Sequence, residues 1–557
     1  MDIEKLLQEM ILEEKVGQLF LLAFSKDRLD EARVLIRDRM VGAAYISNDN
    51  IPSSHAAVEL TRSLQGYARE TRLKVPLLLG VDQEGAWCVM ADDSVPGPGN
   101  MALGATGSSE AAAAMYRVIA KELSAVGLNV LFAPCSDCNT TPHNSIIGMR
   151  SFGQAPELVG KMVVAAVKAT QSQGVVATVK HFPGHGDTTL DTHRGLPTVT
   201  RNGEELRRID LAPFNLGIKS GVDVVMTAHI LFPALDLENP ATLSSKILIE
   251  LLRGEMGFDG VILSDSMNMG AMKKSYAPAE AAVRALQAGV DLIMLAEEHY
   301  DHDAQNYLKQ QCALLDAVCD AVKTGKLCQQ RVDEATLRVL KLKEKYGLFD
   351  APLAEYDKAK SVIACDEHQG VATEVSQQAI SVMVNLNGLI PLSVRNRCMV
   401  LVNTTERRSY EILWKTRGIG PNPNIAAFDR FAEAFCAKRP DTVVIPAEKI
   451  LSEGLSALEV QSVIVAVTEN YPLPGIDFEQ ASQAKIVKML AEKFPDRLVV
   501  VGLRDPYELM NFPEIRAYLC AFSFRPHSAI AAADALFGEF ALQGKTPVEI
   551  PAFGMDK

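Results

Sequence analysis

Val175-Val-Ala-Thr-Val-Lys180-His-Phe-Pro-Gly-His-Gly-Asp-Thr-Thr-Leu-Asp-Thr-His-Arg-Gly-Leu-Pro197 is the most informative stretch of this sequence. Its first five residues are almost all apolar, as in a buried strand, and the loop that follows contains three histidines and two aspartates among its glycines. A buried strand that ends in a dense polar loop is the way in which an α/β barrel presents reactive side chains. The alternative, a purely structural glycine loop, seldom carries so many histidines.

The same pattern recurs along the first 350 residues, where short apolar runs alternate with segments of helical spacing. The predicted strands are Gln18–Phe24, Val41–Ile46, Leu77–Asp82, Asn129–Pro134, Val175–His181, Asp223–His229, Gly260–Asp265 and Val290–Leu295. Helices are predicted between them, for example Ser108–Val126, Glu157–Ser172, Glu204–Lys219, Ser244–Glu255 and Ala277–Ala288. Eight strand–helix units over roughly 250–350 residues are typical of a TIM barrel, so we predict an α/β protein with an N-terminal (β/α)8 barrel.

Polar residues stand where several of these strands end. Asp82 ends the third strand, Lys180 and His181 end the fifth, His229 ends the sixth and Asp265 ends the seventh. The carboxyl ends of barrel strands share one face, so side chains that are distant in sequence can converge there.

A chain of 557 residues is too long for one ordinary core, and the pattern predicts a second domain. We place the barrel at residues 1–350, a linker at 351–370 and the second domain at 371–557. Apolar runs resume at Met399–Val402, Thr442–Ile445, Val463–Val467, Leu498–Val501 and Ala517–Phe522, most of them separated by helical segments. This pattern predicts a C-terminal α/β sandwich built on an open, mostly parallel sheet.

Composition excludes several classes of partner. The formal net charge is −13 and no run of lysines and arginines occurs, which argues against nucleic acid. No apolar run approaches about 18 residues, so no membrane partner is expected, and the first residues lack the features of a secretory signal. Ten scattered cysteines suit reduced thiols, and a cytoplasmic location is expected. Cys135-Ser-Asp-Cys138 has no second pair to complete a zinc site.

Asp265 is the candidate nucleophile, because a carboxylate at the end of a strand can attack an anomeric carbon and form a glycosyl ester. The alternative is an aspartate that caps the next helix. Asp191 and His193 are two residues apart on the polar loop. An aspartate bonded to one imidazole nitrogen leaves the other nitrogen free to move protons, whereas the alternative is a turn with an exposed histidine.

A metal site competes with this interpretation. The loop residues His181, His185, Asp187, Asp191 and His193 are of the types that bind zinc. However, Pro183 and Gly184 lie between the first two histidines, so these two imidazoles cannot share one helix face. We therefore expect no metal and no other cofactor.

Motifs spread over nearly the whole chain resemble glycoside hydrolase family 3, in its β-N-acetylhexosaminidase branch. The long loop Lys180–Pro197, with its Asp-x-His element, is the most specific of them. The others are Leu12-Glu-Glu-Lys-Val-Gly-Gln-Leu-Phe20, Val81-Asp-Gln-Glu-Gly85, Pro98-Gly-Asn-Met-Ala-Leu-Gly104, Gly148-Met-Arg-Ser-Phe-Gly153, Leu263-Ser-Asp265, Pro506-Tyr507-Glu-Leu and Phe537-Gly-Glu with Gly544-Lys-Thr-Pro-Val-Glu-Ile550.

The resemblance implies a retaining exo-β-N-acetylhexosaminidase that releases terminal N-acetylglucosamine from an oligosaccharide or amino-sugar glycoside, without a metal. It implies that Asp265 is the nucleophile and that His193, oriented by Asp191, is the acid/base. It also implies that four residues bind the sugar: Asp82, Arg150, Lys180 and His181. A role in recycling cell-wall muropeptides or chitin-type oligosaccharides fits this activity.

Two positions depart from the family pattern. Ala86-Trp-Cys-Val-Met90 stands where an arginine that holds sugar hydroxyls is usual, and Ser266 replaces an aspartate often found after the nucleophile. The first departure leaves the choice between N-acetylglucosamine and N-acetylgalactosamine open. Two further alternatives also stay open: an N-acetylglucosaminide phosphorylase that uses the same intermediate, and a catalytically inactive sugar-binding protein. The oligomeric state is open as well, with a homodimer as one alternative.

Overall fold

The computed structural model describes residues 1–85, 91–144, 146–188, 195–296, 305–393, 398–413, 426–458, 462–469 and 480–551. Met90, Asp191 and His193 therefore lie outside the described residues. In the described part of the chain, no helix combines the length and the apolar composition needed to cross a membrane.

Eight parallel strands form the first sheet, and they confirm the predicted barrel. They are β1 (Phe20–Ala23), β2 (Ala43–Tyr45), β3 (Leu78–Val81), β4 (Val130–Leu131), β5 (Val176–Phe182), β6 (Val224–Thr227), β7 (Val261–Leu263) and β8 (Ile293–Leu295). Each strand pairs with its sequence neighbour, and β1 also pairs with β8. A parallel bridge between Leu263 and Leu292, with the Ser264 amide donating to the Leu292 carbonyl over 3.0 Å, joins β7 to the start of β8 and closes the barrel.

Helical segments connect these strands and confirm the predicted alternation. They are Ile3–Glu9, Leu12–Gln18, Leu29–Arg33, Val34–Asp38, Ser54–Arg69, Asn100–Thr106, Ser109–Ala125, Pro156–Gln171, Gly203–Glu205, Leu206–Asp210, Leu211–Lys219, Lys246–Glu255, Gly270–Lys273, Pro278–Ala288, Tyr307–Lys323 and Gln329–Lys345. The predicted helix Glu204–Lys219 is divided, because its middle segment Leu206–Asp210 is wound as a π-helix.

The strands alternate between two apolar environments, as a pleated strand must. Leu21 belongs to the cluster inside the barrel, whereas Phe20 and Leu22 belong to the larger cluster between the strands and the surrounding helices. Gly80 leaves the room that Phe132 occupies inside the barrel, since a Cβ at position 80 would come within 2.2 Å of the Phe132 ring. Burial on both faces explains why these strands read as continuous apolar runs.

The second sheet has six strands. They are β9 (Ser381–Asn385), β10 (Met399–Asn403), β11 (Val443–Ile445), β12 (Val463–Thr468), β13 (Leu498–Gly502) and β14 (Ala517–Cys520), in the order β11-β10-β12-β13-β14-β9. Five strands are parallel, and β9 runs antiparallel to β14. The predicted open, mostly parallel sheet is confirmed. β9 was not predicted from the sequence; it is an edge strand in which only Ser381 is fully buried.

Seven α-helices follow residue 350 in the described part of the chain, and they lie among or ahead of the strands of this second sheet. They are Tyr356–Ala359, Asp366–Ala379, Arg407–Leu413, Ala427–Lys438, Ala447–Glu453, Gln480–Lys493 and Pro526–Leu536. The predicted division at 351–370 stays a prediction.

Hydrogen bonds join the two sheet-bearing parts close to the barrel mouth. The Arg525 Nε donates to the carbonyl of Gly85 over 2.7 Å, directly beside the end of β3. The Asn139 side chain donates to the Tyr507 hydroxyl over 2.9 Å. The C-terminal part of the chain therefore supports the loops that follow β3 and β4.

Asp291 fixes the closure of the barrel. It is fully buried directly before β8, and it accepts from the backbone amide of Ile262 at 2.9 Å and from Arg331 at 2.7 Å, with Arg253 as a third partner. One carboxylate thus joins the start of β8 to β7 and to two outer helices.

Asp291→Ala is expected to lower the unfolding temperature by several degrees. Removing one partner of a buried ion pair leaves the other charge uncompensated and costs about 3–5 kcal/mol. Scanning calorimetry at neutral pH measures the shift. Asp259→Ala, just before β7, is the matched control and should unfold like the wild type, because its side chain is 96% exposed and its 3.8 Å contact with Arg338 is screened by solvent. Equal unfolding temperatures for the two variants would contradict this role of Asp291.

Candidate active site

Lys180 lies near the carboxyl end of β5, at the barrel mouth. Its Nζ donates to Asp82 Oδ1 over 2.6 Å and lies 2.6 Å from Glu84 Oε1, so it joins β5 to the end of β3. Burial by itself would lower the pKa of Lys180, but the charges of Asp82 and Glu84 outweigh it and raise the pKa above its ordinary value. The Asp82 carboxylate also accepts from the Tyr45 hydroxyl over 3.1 Å. Lys180 is therefore a fixed cation that orients a partly exposed carboxylate.

Glu84 is paired with a second cation, Arg150. The Arg150 guanidinium donates from Nε to Oε2 over 2.9 Å and from Nη2 to Oε1 over 3.0 Å, a bidentate arrangement in which the Glu84 side chain has no exposed surface. Burial would raise the pKa of Glu84, but Arg150 and Lys180 together lower it to about 2. Bidentate pairs of this kind are short, strong and geometrically specific. Glu84 therefore holds both cations in place at neutral pH.

His181 is oriented by Asp137. The His181 Nδ1 lies 2.8 Å from Asp137 Oδ2, and its Nε2 lies 3.3 Å from Arg150 Nη2. Since a guanidinium can only donate, Nε2 accepts and Nδ1 carries the proton that is donated to the carboxylate. The backbone amide of His185 donates to Asp137 Oδ1 over 2.6 Å. One buried aspartate after β4 thus fixes the tautomer of His181 and the start of the polar loop.

Asp265 directly follows the last residues of β7. Its Oδ1 accepts from the backbone amide of Ser266 over 2.8 Å, and its side chain is partly exposed. The strand ends that carry Asp82, Lys180 and His181 open onto the same face of the barrel, because all eight strands are parallel. Asp82 and Lys180 are in contact on this face, whereas His229 is buried and bonds Thr242 and the Ser266 carbonyl.

The polar loop leaves β5 under tight packing. A Cβ at position 186 would come within 1.7 Å of the Cys138 carbonyl oxygen, so only glycine allows the loop to pass this point. His185 is buried, and burial lowers its pKa to about 4. Its Nδ1 lies 2.8 Å from the Thr188 hydroxyl. His185 is thus a neutral packing residue at the start of the loop, and the residues Asp191 and His193 follow outside the described part.

Potential metal ligands meet at one point among the described residues. The ligand atoms of Cys135, Asp137 and His181 lie within 4.8 Å of one another. Both Asp137 oxygens already accept hydrogen bonds, and burial raises the pKa of the Cys135 thiol well above its ordinary value. Metals bind thiolates rather than thiols, so this trio fits a hydrogen-bonded support for His181 better than a metal site.

Comparisons with known proteins agree with the family resemblance of the sequence motifs. Residues 11–342 match the model of the glycosyl hydrolase family 3 N-terminal domain. This chain belongs to glycoside hydrolase family 3.

Three relatives match the family-3 chain over most of both lengths. Beta-hexosaminidase A of Pseudoalteromonas piscicida is 29% identical over 520 residues, which cover 89% of this chain and 85% of the relative. The beta-N-acetylglucosaminidase/beta-glucosidase of Cellulomonas fimi is 26% identical, with 98% and 94% covered. The solved structure of a family 3 beta-N-acetylglucosaminidase from Paenibacillus sp. str. FPU-7 is 35% identical with a TM-score of 0.86, covering 97% of this chain and 99% of that one. The protein is accordingly a glycoside hydrolase.

Sequence reasoning missed two residues of this family 3 site. Glu84 stands inside the quoted Asp-Gln-Glu-Gly motif, but its partners Lys180 and Arg150 are not neighbours in sequence. Asp137 stands between Cys135 and Cys138, whose Cys-x-x-Cys spacing is itself typical of metal sites. An acidic residue just after the predicted strand Asn129–Pro134 was the available signal for Asp137.

Glu84→Gln is expected to destabilise the protein at neutral pH and to reduce its sensitivity to acid. The unfolded chain protonates Glu84 near its ordinary pKa of 4.5, whereas the native state holds it ionised to about pH 2. Its stabilisation is therefore fully present above about pH 4.5 and is lost as the pH falls toward 2. At pH 7, Arg150 is left without its carboxylate, at a cost of about 3 kcal/mol.

Calorimetry of wild type and variant between pH 7 and pH 2.5 measures this difference. The gap in unfolding temperature should be largest at pH 7 and should close in acid. Glu59→Gln is the control, since the Glu59 side chain is 70% exposed. A gap that is the same at every pH would show that Glu84 does not act through its charge.

Proposed function

We propose that this family 3 enzyme is a retaining exo-β-N-acetylhexosaminidase that releases terminal β-linked N-acetylglucosamine. The observation that supports this proposal is the pre-formed set of charged groups at the barrel mouth. Asp82 is paired with Lys180, and Arg150 lies beside His181. The same face of the barrel also presents Asp265. The beta-hexosaminidase and beta-N-acetylglucosaminidase activities printed for its relatives support the choice of sugar.

In the first half-reaction, a carboxylate oxygen of Asp265 attacks the anomeric carbon while His193 gives its proton to the departing oxygen. The glycosidic bond breaks, and a covalent glycosyl ester forms on Asp265. In the second half-reaction, His193 takes a proton from water, the water oxygen attacks the anomeric carbon, and Asp265 leaves. In this mechanism Asp191 accepts from the second ring nitrogen of His193 and stabilises the imidazolium, which gives up its proton in the first half-reaction and forms again in the second.

The charged groups at the mouth hold the sugar during both steps. The Asp82 carboxylate is paired with Lys180 and can accept hydrogen bonds from sugar hydroxyls. Lys180 and Arg150 donate to hydroxyls or to the acetamido carbonyl, and His181 packs beside them in a fixed tautomer. Because these donors and acceptors are already oriented by Glu84 and Asp137, little reorganisation is needed when the substrate binds.

Three alternatives stay open and one assay separates them. A β-N-acetylgalactosaminidase would prefer the 4-epimer, a phosphorylase would resolve the same ester with phosphate instead of water, and an inactive sugar-binding protein would bind without turnover. Nitrophenyl β-glycosides of N-acetylglucosamine, N-acetylgalactosamine and glucose, each assayed with and without phosphate, distinguish these outcomes. A sugar 1-phosphate as the main product would overturn hydrolysis.

Asp265→Ala is expected to reduce kcat by at least about 10³-fold, since no ester can form. A 5-fluoro or 2-deoxy-2-fluoro glycoside should label Asp265 in the wild type, and peptide mass spectrometry locates the adduct. Asp259→Ala, an exposed carboxylate at the other end of the same strand, is the control and should stay active. An adduct on another carboxylate would reject Asp265 as the nucleophile.

The loss of rate in His193→Ala is expected to depend on the leaving group. Proton donation matters most for a basic leaving group and is worth roughly 10²–10⁴-fold, so turnover of natural disaccharides should nearly cease. A dinitrophenyl glycoside should lose much less in the first half-reaction. Stopped-flow and steady-state rates over a series of leaving groups measure how the rate depends on leaving-group pKa. Exposed His143→Ala is the control, and equal slowing of every substrate would make His193 a binding residue.

A further inference from the structure

Arg201 joins the two ends of the chain segment 188–200, which carries Asp191 and His193. Its Nη2 lies 3.1 Å from Asp187 Oδ1, and Asp187 directly precedes this segment. Arg201 itself directly follows it. One guanidinium therefore connects the point where the polar loop leaves the barrel with the point where it returns.

The same guanidinium is fixed to the body of the barrel. Its Nη1 donates to both carboxylate oxygens of Asp210 at 2.8 Å, and the side chain of Asp210 has no exposed surface. Asp210 ends the π-helical segment Leu206–Asp210, so the pair attaches the loop to the helix that follows β5. Burial raises the pKa of Asp210 to about 6 despite the charge of Arg201, and the carboxylate is therefore ionised at neutral pH.

A third contact completes the Arg201 cluster, which consists of Arg201, Asp187, Asp210 and Thr140. The Thr140 hydroxyl donates to Asp187 Oδ1 over 3.1 Å and accepts from Arg201 Nη2. Only 13% of the Arg201 side chain is exposed, so these ion pairs are screened less than surface pairs. A planar guanidinium with five donors can hold two carboxylates and a hydroxyl at once in a fixed geometry.

We propose that Arg201 is a positioning residue for acid/base catalysis, which holds both ends of the loop so that His193 meets the leaving-group oxygen. This inference rests on the proposed function, because it takes His193 as the acid/base, and it assigns Arg201 no contact with substrate. Closing a loop at its ends removes conformations that would otherwise have to be lost in each turnover. A misplacement of about 1 Å at the reacting atoms can cost about 10²-fold in rate, so a distant residue can affect proton transfer.

The test compares Arg201→Met with His193→Ala and with the double variant. In Arg201→Met, kcat/KM for N,N′-diacetylchitobiose should fall by about 10–100-fold, while that for a dinitrophenyl glycoside should fall by less than about threefold, because the first half-reaction then needs little proton donation. In the His193→Ala background, Arg201→Met should cause no further loss on chitobiose, since both changes remove the same proton transfer. Arg201→Lys should restore part of the rate, because the charge on Asp210 is still neutralised.

Two further variants separate positioning from folding. Asp187→Asn weakens the loop end of the cluster at a side chain that is 28% exposed, and it should reproduce the leaving-group selectivity without loss of the fold. Arg207→Met is the control, because Arg207 is 51% exposed and pairs with Glu255 away from the loop. Calorimetry checks that each variant is folded.

The outcomes distinguish this inference from the proposed function. If His193→Ala is not selective for basic leaving groups, the proposed function fails. The inference is overturned if His193→Ala is selective for basic leaving groups but Arg201→Met and Asp187→Asn slow all substrates equally. It is also overturned if the loss of kcat/KM on chitobiose in Arg201→Met multiplies with the loss in His193→Ala. In either case Arg201 has only a structural role.

Discussion

Glu84 is a carboxylate without exposed surface between two cations, Lys180 and Arg150, at the open end of the barrel. Three separate parts of the chain meet in it: the end of β3, the loop that follows β4, and the end of β5. A buried ion of this kind is costly to place, and it is tolerated only because each of its oxygens is paired. The orientations of Asp82 and His181, which contact these two cations, follow from this constraint.

The consequences pass outward through hydrogen bonds. Lys180, held on one side by Glu84, presents Asp82 toward the mouth, and Arg150, held on the other side, fixes the acceptor nitrogen of His181. Asp137 then sets the second nitrogen of His181 and the amide of His185, where the polar loop begins. The charged groups are therefore oriented before a substrate arrives, which is the condition under which electrostatic stabilisation of a transition state costs least. The C-terminal part of the chain contributes from behind, through Arg525 on the Gly85 carbonyl and Tyr507 on Asn139.

The chemistry that is proposed for this mouth divides between rigid and loop-borne groups. Asp265 follows a barrel strand, where parallel neighbours fix the backbone, and this suits a nucleophile that must approach one carbon. Asp191 and His193 belong to a long loop, whose two ends are held by the Arg201 cluster and by Asp137. Placing the acid/base on such a loop makes its alignment depend on residues that never contact the sugar, and this dependence is a physical reason for the buried ion pairs at the loop ends.

The sequence by itself determined the barrel, because strands that are buried on both faces must be continuous apolar runs, and it also determined which strand ends carry Asp82, Lys180, His181 and Asp265. It did not reveal β9, because the short apolar run Val382-Met-Val384 directly follows the helix Asp366–Ala379 and periodicity alone does not separate such a run from a helix. It also could not pair Glu84 with Arg150 or Asp137 with His181, which are separated by 66 and 44 residues. Those pairings depend on which side chains share a buried volume, and only the closure of the barrel decides that. The lowered pKa of Glu84, the tautomer of His181 and the ion pairs of Arg201 were therefore decided by the tertiary structure alone.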